Sequence, residues 1–424
     1  MKTLALCATC AAFTVALLAA DTKTATIHEL VKKGSESIPQ IEPFLSDPDT
    51  PVRHEAVKAI IELGTGASLS PLIKATTDND PEIQIHSIDG LVNFYLPGYI
   101  KTGISGMFSK AGTSIKSRFA DVNDQIIDGY VQVRPDVIAA IGKVTRNGGS
   151  LDARANAARA LGILRAGTAL PDLKEALSTK NSTVLYEVLK AFEKIRDPKA
   201  AASFHYLLKD LDEKVQLMAI ETAGVLANRE SLAPLRDVLQ SARNTKVQRA
   251  ALSAIGKIPD PGSRDLYEHY LTDKDADLRG DAAEGFARLK DPKDVERLDR
   301  AFADEKKPSA KLGLAFAAVA LGRLDVADGT PLRYLIAELK SKFFQGVAQG
   351  YLIELLRDKK VREAVYPVLR DARKEEKAQL CQIFGVSGEA DTVKYLEILQ
   401  ADPSTEVKNE AMRAMRTLKA RIER

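Results

Sequence analysis

Five carboxylates between residues 273 and 284 have the spacing of a calcium-binding loop. In the segment DKDADLRGDAAE they are the side chains of Asp273, Asp275, Asp277, Asp281 and Glu284. Such a loop needs glycine at its sixth position, where the chain turns sharply, but this sequence has Leu278 there. We therefore expect the acidic start of a helix, where the helix dipole favours carboxylates, and we predict no metal site.

A glycine-rich segment, GMFSKAGTS from Gly106, has some features of a phosphate-binding loop. A true phosphate loop follows a strand and places a lysine before its Ser or Thr. Here Thr113 stands where the lysine is required, and no strand pattern precedes the segment. The sequence therefore predicts no nucleotide site.

The histidine, serine and cysteine residues do not have the spacing of a metal site or of a catalytic nucleophile. The histidines, at positions 28, 54, 86, 205 and 269, are not spaced as paired metal ligands, and a GxSxG nucleophile elbow is missing from the sequence. Cys381 falls near a place where other copies of the repeat described below carry alanine, so we expect a buried thiol rather than a nucleophile. We predict no catalytic residue, no metal, no cofactor and no enzymatic activity.

The N-terminus predicts export. Lys2 supplies the positive start, Leu4 to Ala20 is an uncharged apolar run, and the polar segment DTKT follows. Residues 1–20 are therefore predicted to be a signal peptide cleaved after Ala20, with an uncleaved membrane anchor as the alternative. The expected location is periplasmic or secreted, and Cys381 would then be the one cysteine of the mature chain, which excludes an internal disulfide framework.

Length and composition favour an array of helices. The chain has 424 residues, aromatic residues are 6 % of it, and tryptophan is missing. A chain of this length exceeds one simple core, so it is either multi-domain or modular. The net charge of +3 is nearly balanced, which makes nucleic acid an unlikely partner.

A helical repeat runs through the chain. Nine segments place small or apolar residues at four offsets, +4, +7, +8 and +11, from a starting residue, and these offsets share one face of an α-helix. The starting residues are Val52, Ile83, Ala153, Val184, Val215, Val247, Leu278, Ala310 and Val407. From Val184 to Ala310 the steps are 31 or 32 residues, which is a period typical of stacked helical units.

Shorter amphipathic segments, such as TALPDLKEALST and ESLAPLRDVLQSA, alternate with these helices. Each unit is therefore a helical hairpin that must stack on its neighbours to bury its core. The predicted fold is all-α, an α-solenoid of about ten to eleven hairpins with one helical insertion. The predicted domains are a signal peptide (1–20), an N-terminal cap with the first repeats (21–96), the insertion (97–133) and the main solenoid (134–424).

The segments DPDTPVRHEAVKAIIELG and DKDADLRGDAAEGFARL resemble the second helix of HEAT repeats, in the short form of phycobilisome-lyase-like HEAT proteins, here of an exported bacterial type. The resemblance implies that a cation at offset +1 bonds to an aspartate of the adjoining turn. Arg53, Arg154, Arg279 and Lys408 occupy this offset, and the expected partners are Asp47, Asp49 and Asp277. Copies near Phe344 and Lys377 fit the template poorly.

The insertion is the one stretch without the repeat. Placed on a helix, its apolar residues from Ile100 to Ile126 form a single stripe, with lysines beside it, and no acidic residue lies between Gly90 and Ala120. Such a basic amphipathic helix could pack on its own solenoid, dock a partner or lie on an anionic membrane. The candidate contact residues are Tyr99, Lys101, Ile104, Phe108, Lys110, Lys116, Arg118 and Phe119.

The predicted function is binding or scaffolding. Offsets +2 and +6 of the second helices are expected to face outward, for example His54 and Lys58, Ala155 and Arg159, and Gly280 and Glu284. Their mixed polarity favours an unidentified protein or peptide partner, and we expect a monomer. A membrane-surface adaptor is one alternative, and a bilin-lyase-like enzyme, implied by the resemblance, is the other.

Overall fold

The computed structural model describes residues 21–100, 125–129 and 131–423. Over these ranges the regular structure is helical, with no strand. A first helix spans 21–32, and eleven consecutive pairs of helices follow. This count agrees with the predicted ten to eleven hairpins, and the all-α solenoid prediction is confirmed. None of the helices in the described ranges is both long enough and apolar enough to cross a membrane.

The chain divides into two compact units, of which the first comprises the described residues up to Phe204 together with Asp210–Met218. Hairpins 1 to 4 lie in it. They pair Ile38–Ile41 and Glu42–Ser46 with Thr50–Leu63, Leu69–Ala75 with Pro81–Tyr95, Pro135–Asn147 with Leu151–Ile163, and Leu170–Ala176 with Ser182–Ile195.

The second unit comprises His205–Lys209 and the described residues from Ala219 onward. The fifth pair, Pro198–Lys209 and Glu213–Leu226, contributes residues to both units. Hairpins 6 to 11 lie in the second unit. They pair Leu232–Ser241 with Thr245–Gly256, Arg264–Tyr270 with Ala276–Leu289, Val295–Asp304 with Pro308–Ala320, Pro331–Glu338 with Gln345–Leu355, Lys359–Val365 and Val368–Asp371 with Lys374–Ser387, and Val393–Leu399 with Thr405–Ile422.

The residues at the predicted offsets form the core. In hairpin 4, for example, Val188, Ala191 and Phe192 are buried. Within each unit the second helices of successive hairpins pack on one another. Pro135–Asn147 packs on Leu151–Ile163 and is the first helix of hairpin 3. Its residues Val137, Ala140, Ile141 and Val144 also match the second-helix offsets counted from Val133, but the structure excludes that register.

Glycines set the closest approaches between second helices. A Cβ atom on Gly162 would lie 2.8 Å from the Cα of Ala191, and one on Gly224 would lie 2.8 Å from the Cα of Ala254. Gly385 faces Ala414 in the same way, at 3.1 Å. In all three, a glycine near the end of one second helix meets the small residue at offset +7 of the next. Only a residue without a side chain fits there, since ordinary contacts between carbon atoms are longer.

Candidate protein-binding surfaces

At two positions of the predicted ladder, a cation ties its own turn to the turn of the next hairpin. Arg53 donates from Nη1 to the carbonyl oxygen of Asp47 at 3.0 Å and from Nε to Oδ2 of Asp78 at 2.7 Å. Arg279 repeats this geometry, from Nη1 to the carbonyl oxygen of Asp273 at 2.8 Å and from Nε to Oε2 of Glu305 at 2.8 Å. The cation at offset +1 therefore stabilises its own turn through the backbone and the following turn through a carboxylate.

Of the predicted partners, Asp47 does bond to the Arg53 guanidinium, but through its carbonyl oxygen, and none of the three offers its carboxylate to the predicted cation. The Asp47 carboxylate bonds to Lys23 at 2.7 Å, and Asp277 pairs with Arg249 at 2.6 Å. The Arg53 side chain spans the gap to the following hairpin, which brings it to Asp78 instead. Asp49 bonds to Arg53 through backbone atoms only, since its carbonyl oxygen accepts the backbone N–H of Arg53 at 3.2 Å.

The cations at the other predicted ladder positions do not make both of these contacts. Arg154 donates from Nε to the carbonyl oxygen of Thr145 at 3.2 Å. Lys408 makes no ion pair with any residue of the described ranges. Lys377, in a copy that fits the template poorly, does complete a rung, with Nζ 3.1 Å from Oδ2 of Asp402.

Of the calcium-like carboxylates, Asp275 and Asp277 lie at the start of a helix, as the sequence predicts, whereas Asp281 and Glu284 lie further along it. Asp275 caps Ala276–Leu289 by accepting the backbone N–H groups of Asp277 and Leu278 at 3.0 and 3.3 Å. Its second oxygen accepts from Arg249, and this hydrogen bond lowers the pKa of the Asp275 carboxyl. The carboxylate is thus occupied by protein donors, and no group of potential metal ligands lies together in the described ranges.

The outward-facing positions are only partly as predicted. In the first unit Arg159 is 1 % exposed and pairs through Nη2 with Oε1 of Glu187 at 2.7 Å, while Asn156 donates to Oδ1 of Asp89 at 3.0 Å. Ala155 is also buried, as are Gly280 and Glu284 in the second unit. The prediction for these +2 and +6 positions is wrong because polar side chains on this face bond between neighbouring second helices. His54 and Lys58 remain partly exposed.

Of the predicted contact residues, the structure describes Tyr99 alone. Tyr99 is half-buried, and its pKa is raised by burial and by the nearby Asp89 carboxylate, with Arg159 opposing. The next residue, Ile100, is buried and donates its backbone N–H to Oδ1 of Asn93 at 3.0 Å. The remaining candidates lie outside the described residues: Lys101, Ile104, Phe108, Lys110, Lys116, Arg118 and Phe119.

A polar cluster, here called the clasp, joins hairpins 7 and 9 of the second unit. Arg288 bonds through Nη2 to Oε2 of Glu354 at 2.8 Å and through Nη1 to Oε2 of Glu284 at 3.1 Å. Tyr351 donates its hydroxyl to the Glu284 carboxylate. Burial and the Glu284 charge raise the pKa of Tyr351, so the tyrosine remains a donor. The contacts therefore pass over hairpin 8, whose Phe316 stacks on Tyr351 with ring centroids 4.6 Å apart.

The clasp explains why the copy near Phe344 fits the template poorly. Tyr351 takes offset +7 from Phe344, where other copies carry a small residue. A tyrosine there prevents the closest helix approach, but its ring fills the space above Phe316 and its hydroxyl reaches Glu284.

The second helix of hairpin 9, together with the turn that precedes it, carries an exposed apolar surface, here called the hairpin 9 face. It consists of Phe343, Gly346, Val347 and Gly350, with Glu354 of the clasp at its end. Phe343 is 89 % exposed and Val347 45 % exposed. Nothing lies within 4 Å of a Cβ built on Gly346 or Gly350, so the helix backbone is open to an approaching partner. The sequence signal for this face, glycines inside a helical pattern in QGVAQG, was available but unused.

Cys381 shows no reactive environment. Its side chain is fully buried, and burial raises the pKa of the thiol to about 12, with help from the nearby carboxylates of Glu410 and Asp402. At neutral pH it is therefore a protonated thiol in the core, as predicted.

Comparisons with known proteins identify the repeat. A family model described as HEAT repeats matches residues 19–101, 138–204, 203–284 and 232–318. No curated protein matches the chain at a significant level.

Several solved structures share a weak likeness. An engineered protein is 18 % identical, with 90 % of this chain and 98 % of that chain covered and a TM-score of 0.38. The karyopherin Kap121p bound to the extreme C-terminus of the protein phosphatase Cdc14p is 13 % identical, with 89 % of this chain and 45 % of that chain covered and a TM-score of 0.39. Human deoxyhypusine hydroxylase in complex with glycerol is 18 % identical, with 66 % and 96 % covered and a TM-score of 0.28.

This chain thus spans under half the length of Kap121p, and at such TM-scores these likenesses carry no inference about function. The family model, by contrast, covers more than half of the chain. The protein belongs to the HEAT-repeat family.

Proposed function

We propose that this chain is a non-catalytic, exported scaffold that binds a protein partner through the hairpin 9 face. HEAT-repeat solenoids typically act as protein-binding scaffolds, and the described carboxylates, cysteine and buried cations are engaged in structural roles. Export is proposed from the signal-like residues 1–20 alone.

The observation that carries the proposal is the exposed Phe343. An aromatic side chain that is 89 % exposed leaves nearly all of its apolar area in water. A single exposed residue would be ordinary, but Val347 lies four residues further on, in the first turn of the helix, and the two open glycines flank it. Together these uncharged residues run from the turn at Phe343 onto the helix.

The hairpin 9 face suits an apolar protein segment rather than a small molecule. Phe343 can enter a pocket of the partner, and the glycines allow a helix or extended segment to approach the backbone closely. The clasp holds the helix through Tyr351 and Glu354, so the part of the face formed by Gly346, Val347 and Gly350 is fixed in place before binding. A pre-organised face loses less conformational entropy on association.

The test is capture of the partner followed by a measured affinity. The mature protein and its variants would be used as bait for detergent-free extracts of the cell envelope and of the medium. The captured protein would then be purified and titrated against each bait. Phe343→Asp should weaken binding by about thirtyfold or more, as expected for an aromatic anchor.

Ile398→Asp is the matched control, because Ile398 is also a large exposed apolar side chain of the second unit but lies in hairpin 11. It should leave the affinity unchanged. Equal losses in both variants, or none in Phe343→Asp, would remove the hairpin 9 face from the proposal. Edman sequencing of protein from each cell fraction tests export, which predicts Asp21 as the first residue.

A further inference from the structure

The last hairpin carries a second surface of different chemistry. Its second helix, Thr405–Ile422, contains five basic and two acidic residues, a net charge of +3 that equals the net charge of the whole chain. The remainder of the sequence is therefore neutral overall.

A groove of about 610 Å³ lies along this helix. It is lined by the thioethers of Met412 and Met415 and by two guanidinium and two amide groups. The lining residues are Gln400, Asn409, Met412, Arg413, Met415 and Arg416. The groove therefore combines apolar contact area with hydrogen-bond donors, and no carboxylate lines it.

The cations of this surface are largely available. Arg413 uses Nη1 to bond to Oε1 of Glu410 at 2.8 Å, and its side chain remains 68 % exposed. Arg416 is exposed and makes no ion pair with any residue in 21–100, 125–129 or 131–423. Lys419, one turn beyond, is exposed and likewise without an ion pair in these ranges.

We propose that the groove of hairpin 11 binds an acidic peptide segment that carries an apolar side chain. The carboxylates would form charge-assisted hydrogen bonds with Arg413 and Arg416, which can each hold a carboxylate in a bidentate pair. The apolar side chain would lie on Met412 and Met415, since methionine adapts to varied shapes.

The other anionic partners fit less well. A membrane-surface helix needs a broad apolar face, and here Met412, at 41 % exposure, is the one large apolar side chain exposed on the helix. Nucleic acid requires a sustained cationic stripe, whereas this cationic surface is confined to a single helix. This surface is separate from the hairpin 9 face, and either proposal can fail without the other.

The test uses the mature full-length chain and a fluorescein-labelled peptide of Glu-Leu-Glu-Glu repeats, with binding read by fluorescence anisotropy at neutral pH. The variants Arg413→Ala and Arg416→Ala should each weaken binding about tenfold, and added salt should weaken wild-type binding. Arg370→Ala is the control, because Arg370 is an exposed arginine whose partner is its neighbour Asp371. It should bind as wild type does, and thermal melts should show all variants folded.

Other outcomes overturn the proposal. A failure of the wild type to bind the peptide would do so, as would equal binding of the matching Gln-Leu-Gln-Gln peptide. So would a loss in Arg370→Ala equal to that in Arg416→Ala, since it would show a diffuse charge effect. Tighter binding of a DNA duplex or of phosphatidylserine vesicles through the same arginines would assign the groove to another class of ligand.

Discussion

The closest helix contacts predict opposite effects for two chemically identical substitutions. Gly162→Ala adds a methyl group 2.8 Å from the Cα of Ala191 and 3.1 Å from its Cβ. Gly350→Ala adds the same group where nothing lies within 4 Å. Both sites are inside second helices, so both substitutions gain about 1 kcal/mol of helix propensity.

The two sites differ in the cost of the new contact. At Gly162 the neighbour is helix backbone, which must move by roughly half an ångström or more, and overpacking of this kind costs about 1–3 kcal/mol. We therefore expect Gly162→Ala to be destabilising by about 1 kcal/mol net and Gly350→Ala to be stabilising by about 0.5–1 kcal/mol.

Urea unfolding followed by circular dichroism measures the two free energies of unfolding, and hydrogen exchange of peptides from 151–195 and 345–355 places each change in its own hairpin. A stabilising effect of Gly162→Ala equal to that of Gly350→Ala would refute the reasoning. It would show that the second helices separate at negligible cost and that the glycine contacts do not set their distance.

Two further predictions concern the ladder and the core. Hydrogen bonding from Arg279 lowers the pKa of Glu305 from its usual 4.5, so the pair's stabilisation is present above about pH 5 and is lost as pH falls through the lowered value. Glu305→Gln should therefore cost about 1–2 kcal/mol in urea unfolding at neutral pH and progressively less below about pH 4, whereas a cost independent of pH would contradict the ion pair. Cys381 should react with Ellman's reagent at least about a hundredfold more slowly in the native protein than in urea, because its buried thiol must first be exposed by local unfolding. Equal rates would place this thiol at the surface.

The helical periodicity predicted the core well. Residues such as Val188, Ala191 and Phe192 follow from offsets that any amphipathic helix must obey, and they are buried. The burial of Cys381 followed from the same pattern. Local sequence is sufficient here because one hairpin contains both the pattern and the residues that it positions.

Contacts between hairpins were harder to predict. The sequence places the Arg53 partners in its own turn, whereas the side chain bonds there only to a carbonyl oxygen and forms its ion pair with Asp78 of the next turn. The sequence predicts an exposed Arg159, but its guanidinium is buried in an ion pair with Glu187 of the following second helix. Both errors have one cause, since offsets within a helix do not reveal how far the next helix is displaced along the stack.

The hairpin 9 face shows a second limit of prediction from the repeat template. The repeat template is defined by buried residues, and the copy that contains Tyr351 fits it poorly. The template therefore predicts nothing about the surface of this copy. Its departures from the pattern carry the information: the large +7 residue forms the clasp, and Gly346 and Gly350 open the surface beside it.

The clasp also changes how this part of the molecule should unfold. In a simple repeat array each unit is coupled only to its immediate neighbours, so fraying can stop between any two of them. Here Glu284 and Arg288 of hairpin 7 are bonded directly to Tyr351 and Glu354 of hairpin 9. Hairpin 8 lies between these two hairpins in the sequence. Separating it from hairpin 7 or from hairpin 9 would therefore also break the bonds that join hairpins 7 and 9 directly. Hairpins 7, 8 and 9 should therefore open as one cooperative block, which nearest-neighbour coupling alone would not require.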